Sequence, residues 1–274
     1  MMTRLLIPAT AGVARHAVDD NLRALVEGGG YGTYLGLGQV VSLSRDDEPI
    51  VGDEASEFSR EAAHHPERYR PIVRFVRDLC DRAGLTAPRI LDFGCGPAIL
   101  SAMIARAIPA AHVTGVDLSR DMLTLAAGTL QSFGVAGRMT LHHHDARLVA
   151  READHLADVV VSRNMLHRID GLGDTLTRMV SAARPRGGMA CFTAFRQVSD
   201  LGPAGQAAFV AAVRERRVTR DVENLVRSFV RAHLSAPSLE QYRKAAGTVA
   251  RHLNVREVRV WAGNNNNVCL YFQR

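Results

Sequence analysis

Lysine is almost missing: Lys244 is the only one among 34 basic residues, so a formal charge of +6 rests on arginine. These arginines are dispersed, and no basic run carries interleaved aromatics. The charge therefore reads as a solvated surface, and nucleic acid is disfavoured as a partner. Cysteine is scarce as well. Cys80, Cys95, Cys191 and Cys269 lie far apart without a C-x-x-C pair, which excludes a zinc ribbon and a disulfide framework and fits a reducing compartment. No apolar run is long enough to span a bilayer. At the N-terminus, Leu5-Leu6-Ile7 is cut off by Pro8, too short for a signal sequence, so a cytoplasmic protein is expected. No internal repeat is visible, and no G-x-x-x-x-G-K-[ST] loop exists to bind a nucleotide triphosphate.

What is present is globular: 47% hydrophobic and 23% charged residues over 274 positions, enough for one large domain with an appendage. Residues 1–88 precede the regular pattern. They hold a glycine-rich stretch from Gly28 to Gly38 with Tyr31 and Tyr34 in it, and a hairpin pattern through Val40-Val41 and Ile50-Val51. A helix from Pro71 follows, with Ile72, Phe75, Val76, Leu79, Cys80 and Ala83 in one stripe and Gly84 as its stop. Residues 89–196 alternate strand and helix. Strands are expected at 89–93, 112–117, 139–145, 158–162 and 189–195, a βαβα pattern that means a parallel sheet covered on both faces. A helical insertion is expected over about 198–236, with a clean apolar stripe from Val222 to Leu234. A helix opened by the capping box Ser238-Leu239-Glu240-Gln241 comes next, then a terminal hairpin around Asn264–Asn267.

The most informative segment is Ile90-Leu91-Asp92-Phe93-Gly94-Cys95-Gly96-Pro97-Ala98. An apolar strand carries Asp92, and a Gly-x-Gly turn then opens a helix. Such a turn needs unusual backbone angles and lets a ligand approach the main chain, at the strand end where open α/β sheets bind ligands. A second strand ends in Asp117, spaced to grip ribose hydroxyls, and a third is expected to end in Asp145. Three strands each delivering a carboxylate point to a ligand with hydroxyls, an amine and a positive centre. The dinucleotide fingerprint G-x-G-x-x-G is broken, because Ile99 occupies its third glycine position.

This segment resembles the first motif of class I S-adenosylmethionine-dependent methyltransferases, over about residues 89–196 plus the terminal hairpin. The resemblance implies a Rossmann-like seven-stranded sheet in the order 3-2-1-4-5-7-6, doubly wound and mostly parallel. Residues 1–88 would form a cap and 89–274 the cofactor domain with its insertion. It implies S-adenosyl-L-methionine as cofactor. Gly94, Cys95 and Gly96 would then lie along its methionine part and Asp92 near its amino group. Asp117 would take the ribose hydroxyls, Leu118 and Met122 would flank the adenine, and Asp145 and Ala146 would meet the adenine edge. Arg163 and Asn164 would face the methionine end and the acceptor. Ser162-Arg163-Asn164-Met165 lacks the [DNS]-P-P-[YFW] pattern of base-modifying members, which favours a small-molecule acceptor. A homodimer through the N-terminal segment is one assembly implied by analogy.

In-line transfer of a methyl group needs alignment more than a covalent nucleophile. Where the acceptor needs a base, His167 is the candidate, against the alternative of a packed histidine. Tyr31 and Tyr34 are candidates for embracing a sulfonium by cation–π attraction. Arg163 is a candidate for an acceptor carboxylate, with a local pair to Asp170 as the competing reading. His142, His143 and His144 lie along a strand, where alternate rings face opposite ways, so no metal site is expected. Attack at another sulfonium carbon, giving methylthioadenosine, and a non-catalytic cofactor-binding regulator are the alternatives to methyl transfer.

Overall fold

The computed structural model describes residues 49–149, 157–202, 204–205, 209, 232–233, 236–263 and 267–274. The glycine-rich stretch with Tyr31 and Tyr34, the Val40-Val41 arm, most of the Val222–Leu234 stripe and the tip Asn264–Asn266 lie outside them.

Seven strands form one sheet in the order β3-β2-β1-β4-β5-β7-β6. They are β1 (Arg89–Phe93), β2 (His112–Asp117), β3 (Met139–His143), β4 (Val159–Arg163), β5 (Met189–Phe195), β6 (Glu257–Ala262) and β7 (Asn267–Gln273). The first five run parallel, and β7 runs antiparallel to both β5 and β6. The central strands are continuous apolar runs because both faces are covered: Val159, Val160 and Val161 are all fully buried.

Two cores result. On one face, α2 (Arg70–Arg82), α3 (Ile99–Ala107) and α4 (Arg120–Ser132) cover Ile90, Val113, Val159 and Val161. On the other, α6 (Leu172–Ser181) and α7 (Leu239–His252) cover Leu91, Val160, Phe192 and Phe272. Each such side chain contributes about 1.5–3 kcal/mol by leaving water. Local signals start the helices where expected. The Ser119 hydroxyl accepts from the Met122 amide at 3.1 Å, and Ser238 with Gln241 completes a reciprocal capping box at α7.

Three expectations need correction. Ile50 and Val51 do not form a hairpin arm; a helix, α1 (Gly52–His64), starts at once after extended Val51. Asp53 and Glu54 in its first turn favour the helix dipole, while only Ala55 and Ala62 are buried, so the apolar stripe that marks a helix was too thin to read. The third strand stops at His143, so Asp145 stands just ahead of a short helix, α5 (Ala146–Val149), and its carbonyl accepts from the Leu148 amide at 2.9 Å. The three acids thus do not form a row of strand ends, because Asp92 is the fourth residue of its strand, its carboxyl buried under the sheet face that α3 covers.

Helix α1 is tied to the start of α4. The Gly52 amide donates to Asp121 Oδ2 at 2.7 Å, and the Ser119 hydroxyl donates to the Ile50 carbonyl. This brings Pro49, Ile50 and Phe58 to the C-terminal edge of the sheet.

Candidate active site

A single cavity collects the strand ends. It is lined at one end by Asp117, Leu118 and Met122, with Asp145 and Ala146 beside them. Asp92, Gly94, Cys95 and Gly96 line its middle, and Arg163 and Asn164 its far end. The structure therefore brings together every residue expected at the cofactor. His167 does not line this cavity, and Tyr31 and Tyr34 lie outside the described residues.

The glycine turn is dictated by close packing. Gly94 has φ +65, and a Cβ there would meet the Met165 sulfur at 2.7 Å. Behind the turn, a Cβ on Gly115 would meet Cys95 Sγ at 2.9 Å, so the β2 glycine makes room for the Cys95 side chain. The turn is fastened to β2: the Gly94 and Cys95 amides both donate to the Val116 carbonyl, at 2.8 and 3.1 Å. The Gly96 amide donates to Asp117 Oδ2 at 2.8 Å, and the Ser119 amide donates to Asp117 Oδ1 at 2.9 Å. Asp117 is thus fixed in one orientation. Burial raises its pKa, and the backbone amides oppose that rise.

Asp92 is 1% exposed. Its Oδ2 accepts from the Ser101 hydroxyl at 2.5 Å, and its Oδ1 is buried with no donor. Desolvation pushes its pKa up to about 7, with the Ser101 bond opposing and the Asp117 charge adding to the rise. Asn164, held in the left-handed region at φ 58, also has a buried Oδ1 without a donor. Two oxygens wanting donors in one cavity fit an ammonium group. Burial pushes the Cys95 thiol well above its ordinary value, with Asp92 and Asp117 adding to the shift, so it stays a neutral thiol.

The roof of the cavity was not legible beforehand. Phe58 from α1 lies 3.8 Å from where a Gly96 Cβ would be, and buried Tyr69, just before α2, stacks on Arg163 at 4.3 Å. Arg168 joins the lining, within electrostatic reach of Glu54 and Asp117. The only available signal was aromatic placement in a segment with weak periodicity.

His167 is 2% exposed. Its ring lies 4.6 Å from that of Phe195, its Nδ1 accepts from the Phe195 amide at 3.4 Å, and the Phe195 ring stacks on that of His233 at 3.9 Å. Among the described residues, no group of His, Cys, Asp and Glu could hold a metal ion, and no helix is long and apolar enough to cross a membrane.

A glycine turn between a buried carboxyl and a ribose-type aspartate, on a sheet of order 3-2-1-4-5-7-6, defines the class I Rossmann-like methyltransferase fold. Residues 90–187 match the family model described as a methyltransferase domain. It is 37% identical over 111 residues to a ubiquinone biosynthesis O-methyltransferase of Aromatoleum aromaticum, covering 40% of this chain and 46% of that protein. It is 29% identical over 137 residues to a trans-aconitate 2-methyltransferase of Streptomyces avermitilis, covering 50% and 49%. The chain spans about half the length of these curated relatives. A plantazolicin methyltransferase solved with SAH and a pentazolic desmethyl analogue shares the fold at TM-score 0.60 and 11% identity, over 93% of this chain and 99% of that one. S-adenosylmethionine is the cofactor of the class, and the residues present fit it. The unpaired oxygens of Asp92 and Asn164 suit its ammonium, and the fixed Asp117 suits its ribose.

Proposed function

We propose that this chain is an S-adenosylmethionine-dependent methyltransferase acting on a small-molecule acceptor. The observation that carries the reading is the buried, donor-less Oδ1 of Asp92 beside the Gly94–Gly96 turn. The names of the two curated relatives given above support a small metabolite as acceptor, as does the absence of a [DNS]-P-P-[YFW] sequence after β4.

When bound, the cofactor supplies a methyl carbon on a positively charged sulfur, which leaves as a neutral thioether. The protein's part is alignment, by which enzymes lower a barrier by several kcal/mol. Asp92 and Asn164 would hold the ammonium, Asp117 would hold the ribose, and Leu118 and Met122 would flank the adenine. Phe58 and Tyr69 line the same cavity and would help to exclude water from it. Among the described residues the cavity lining holds one histidine, His144 beside Asp145, and the reading asks no covalent nucleophile of the protein. His167 serves here as a packing residue under Phe195.

Calorimetric titration with S-adenosylmethionine and with SAH tests the cofactor. Incubation with candidate acceptors, with the products read by mass spectrometry, tests the reaction. SAH formation matched to a methylated acceptor is expected. Methylthioadenosine as the main product, or no binding at millimolar cofactor, overturns the proposal.

A further inference from the structure

The far end of the cavity presents a guanidinium whose donors meet no acceptor among the described residues. Arg163 is the last residue of β4, on the same sheet face as Asp92, whose partner across the ladder is Val161. Counted across the sheet, it lies on the β4 side of Asp92, away from Asp117 and Asp145. The guanidinium carbon sits 4.3 Å from the centroid of the Tyr69 ring, and Tyr69 is 6% exposed, so the stack is fixed rather than a surface encounter. Among the described residues Arg163 has no ion pair and no side-chain hydrogen bond, and the pairing with Asp170 does not form. Burial pushes the guanidinium below its ordinary pKa; Tyr69 opposes that shift, and the like-charged Arg68 adds to it.

A guanidinium offers a planar fork of N–H donors that matches a carboxylate, and stacking on an aromatic ring sets the plane of that fork while leaving its edge open. A partly buried cation without a counter-ion is costly until an anion arrives. The oxygens of Asp92 and Asn164 want donors; Arg163 wants an acceptor. The nucleoside end of the ligand would lie at β2 and β3, and Arg163, at the end of β4, lines the opposite half of the cavity.

We infer that Arg163, braced on Tyr69, is the anchor for a carboxylate of the acceptor, and that the substrates of this enzyme are carboxylic acids. The inference rests on the reading of the cavity as a methyltransferase site. The same chemistry is carried by the amino-acid arm of the cofactor, so the test has two arms.

In the first arm, SAH and 5′-methylthioadenosine, which lacks the amino-acid arm, are titrated into the wild type, Arg163→Met, Arg163→Lys and Tyr69→Phe. In the second, hydroxybenzoic acids and aliphatic di- and tricarboxylic acids are offered as acceptors beside their carboxamides, with SAH formation as readout. The expected result is that both nucleosides bind every variant within about threefold of wild type, and that wild type prefers acids over amides by about tenfold or more in kcat/KM. That preference collapses in Arg163→Met, falls partway in Arg163→Lys, which keeps the charge but not the fork, and survives in Tyr69→Phe, which keeps the ring. If Arg163→Met melts early, Arg163→Lys carries the comparison.

A tenfold loss of SAH affinity with methylthioadenosine unchanged would give the cation to the cofactor and overturn the acceptor assignment. So would amides accepted as well as acids, or SAH binding with no acid of the panel methylated. Failure of wild type to bind either nucleoside sinks the methyltransferase reading itself and is thereby distinct.

Discussion

Ser101 gives its hydroxyl hydrogen to one oxygen of Asp92 across 2.5 Å and leaves the other oxygen buried and unserved. The carboxyl is half-provided for, and desolvation holds its pKa at about 7 in place of an ordinary value near 3.8. Because the folded value is the higher one, its contribution to stability is full at low pH and is lost as pH rises through about 7. The apo protein is therefore expected to lose melting temperature from about pH 4 to 7, and Asp92→Asn is expected to flatten that slope.

Cofactor binding runs the other way. An ammonium prefers the ionised carboxylate, so SAH affinity is expected to fall up to about tenfold per pH unit below 7. It falls again at high pH, once the α-ammonium group of the ligand loses its proton. Calorimetry across pH 5–9 checks this; a profile unchanged by Asp92→Asn contradicts it.

Asp117 joins the glycine turn to β2 through the Gly96 and Ser119 amides. Asp117→Ala leaves both donors without their acceptor and removes the ribose ligand. A loss of about 2–3 kcal/mol in binding is expected, equal for SAH and methylthioadenosine because both carry the ribose. A loss confined to SAH would place Asp117 at the amino-acid end instead.

Gly115 and Cys95 share one small space, with the added Cβ 2.9 Å from the sulfur. Gly115→Ala is expected to cost about 1–3 kcal/mol by overpacking. Cys95→Ala in the same chain is expected to recover part of that cost, giving a coupling of about 0.5 kcal/mol or more in a double-mutant cycle read by denaturant unfolding.

His167→Ala removes a buried ring from the face of Phe195 and an acceptor from its amide. Expected are about 2–4 kcal/mol of lost stability and an SAH affinity within about twofold of wild type. A variant that melts normally but no longer turns over would return His167 to the role of base.

The strand limits at 89–93, 112–117 and 189–195 were readable to the residue because apolar runs there are bounded on at least one side by glycine, proline or a carboxylate. The Ser119 and Ser238 caps were readable because a cap is a local hydrogen bond between near neighbours. Phe58, Tyr69 and Arg168 were not. Their place in the cavity depends on how α1 docks on α4 and on the loop after β4, contacts made across about 70 residues of chain that no periodicity encodes. The true depth of Asp92 was hidden for a related reason. Strand membership was clear, but the hydroxyl that meets it comes from the next helix.

The two hydrogen bonds that join α1 to the start of α4 use main-chain atoms on the α1 side: the carbonyl of residue 50 and the amide of residue 52. Sequence drift at position 50 therefore leaves the join intact, since every amino acid carries that carbonyl. Position 52 is freer in space than in geometry. Nothing lies within 4 Å of an added Cβ, yet φ is +58, so asparagine is admitted at small cost, valine at a large one, and proline would delete the donor outright.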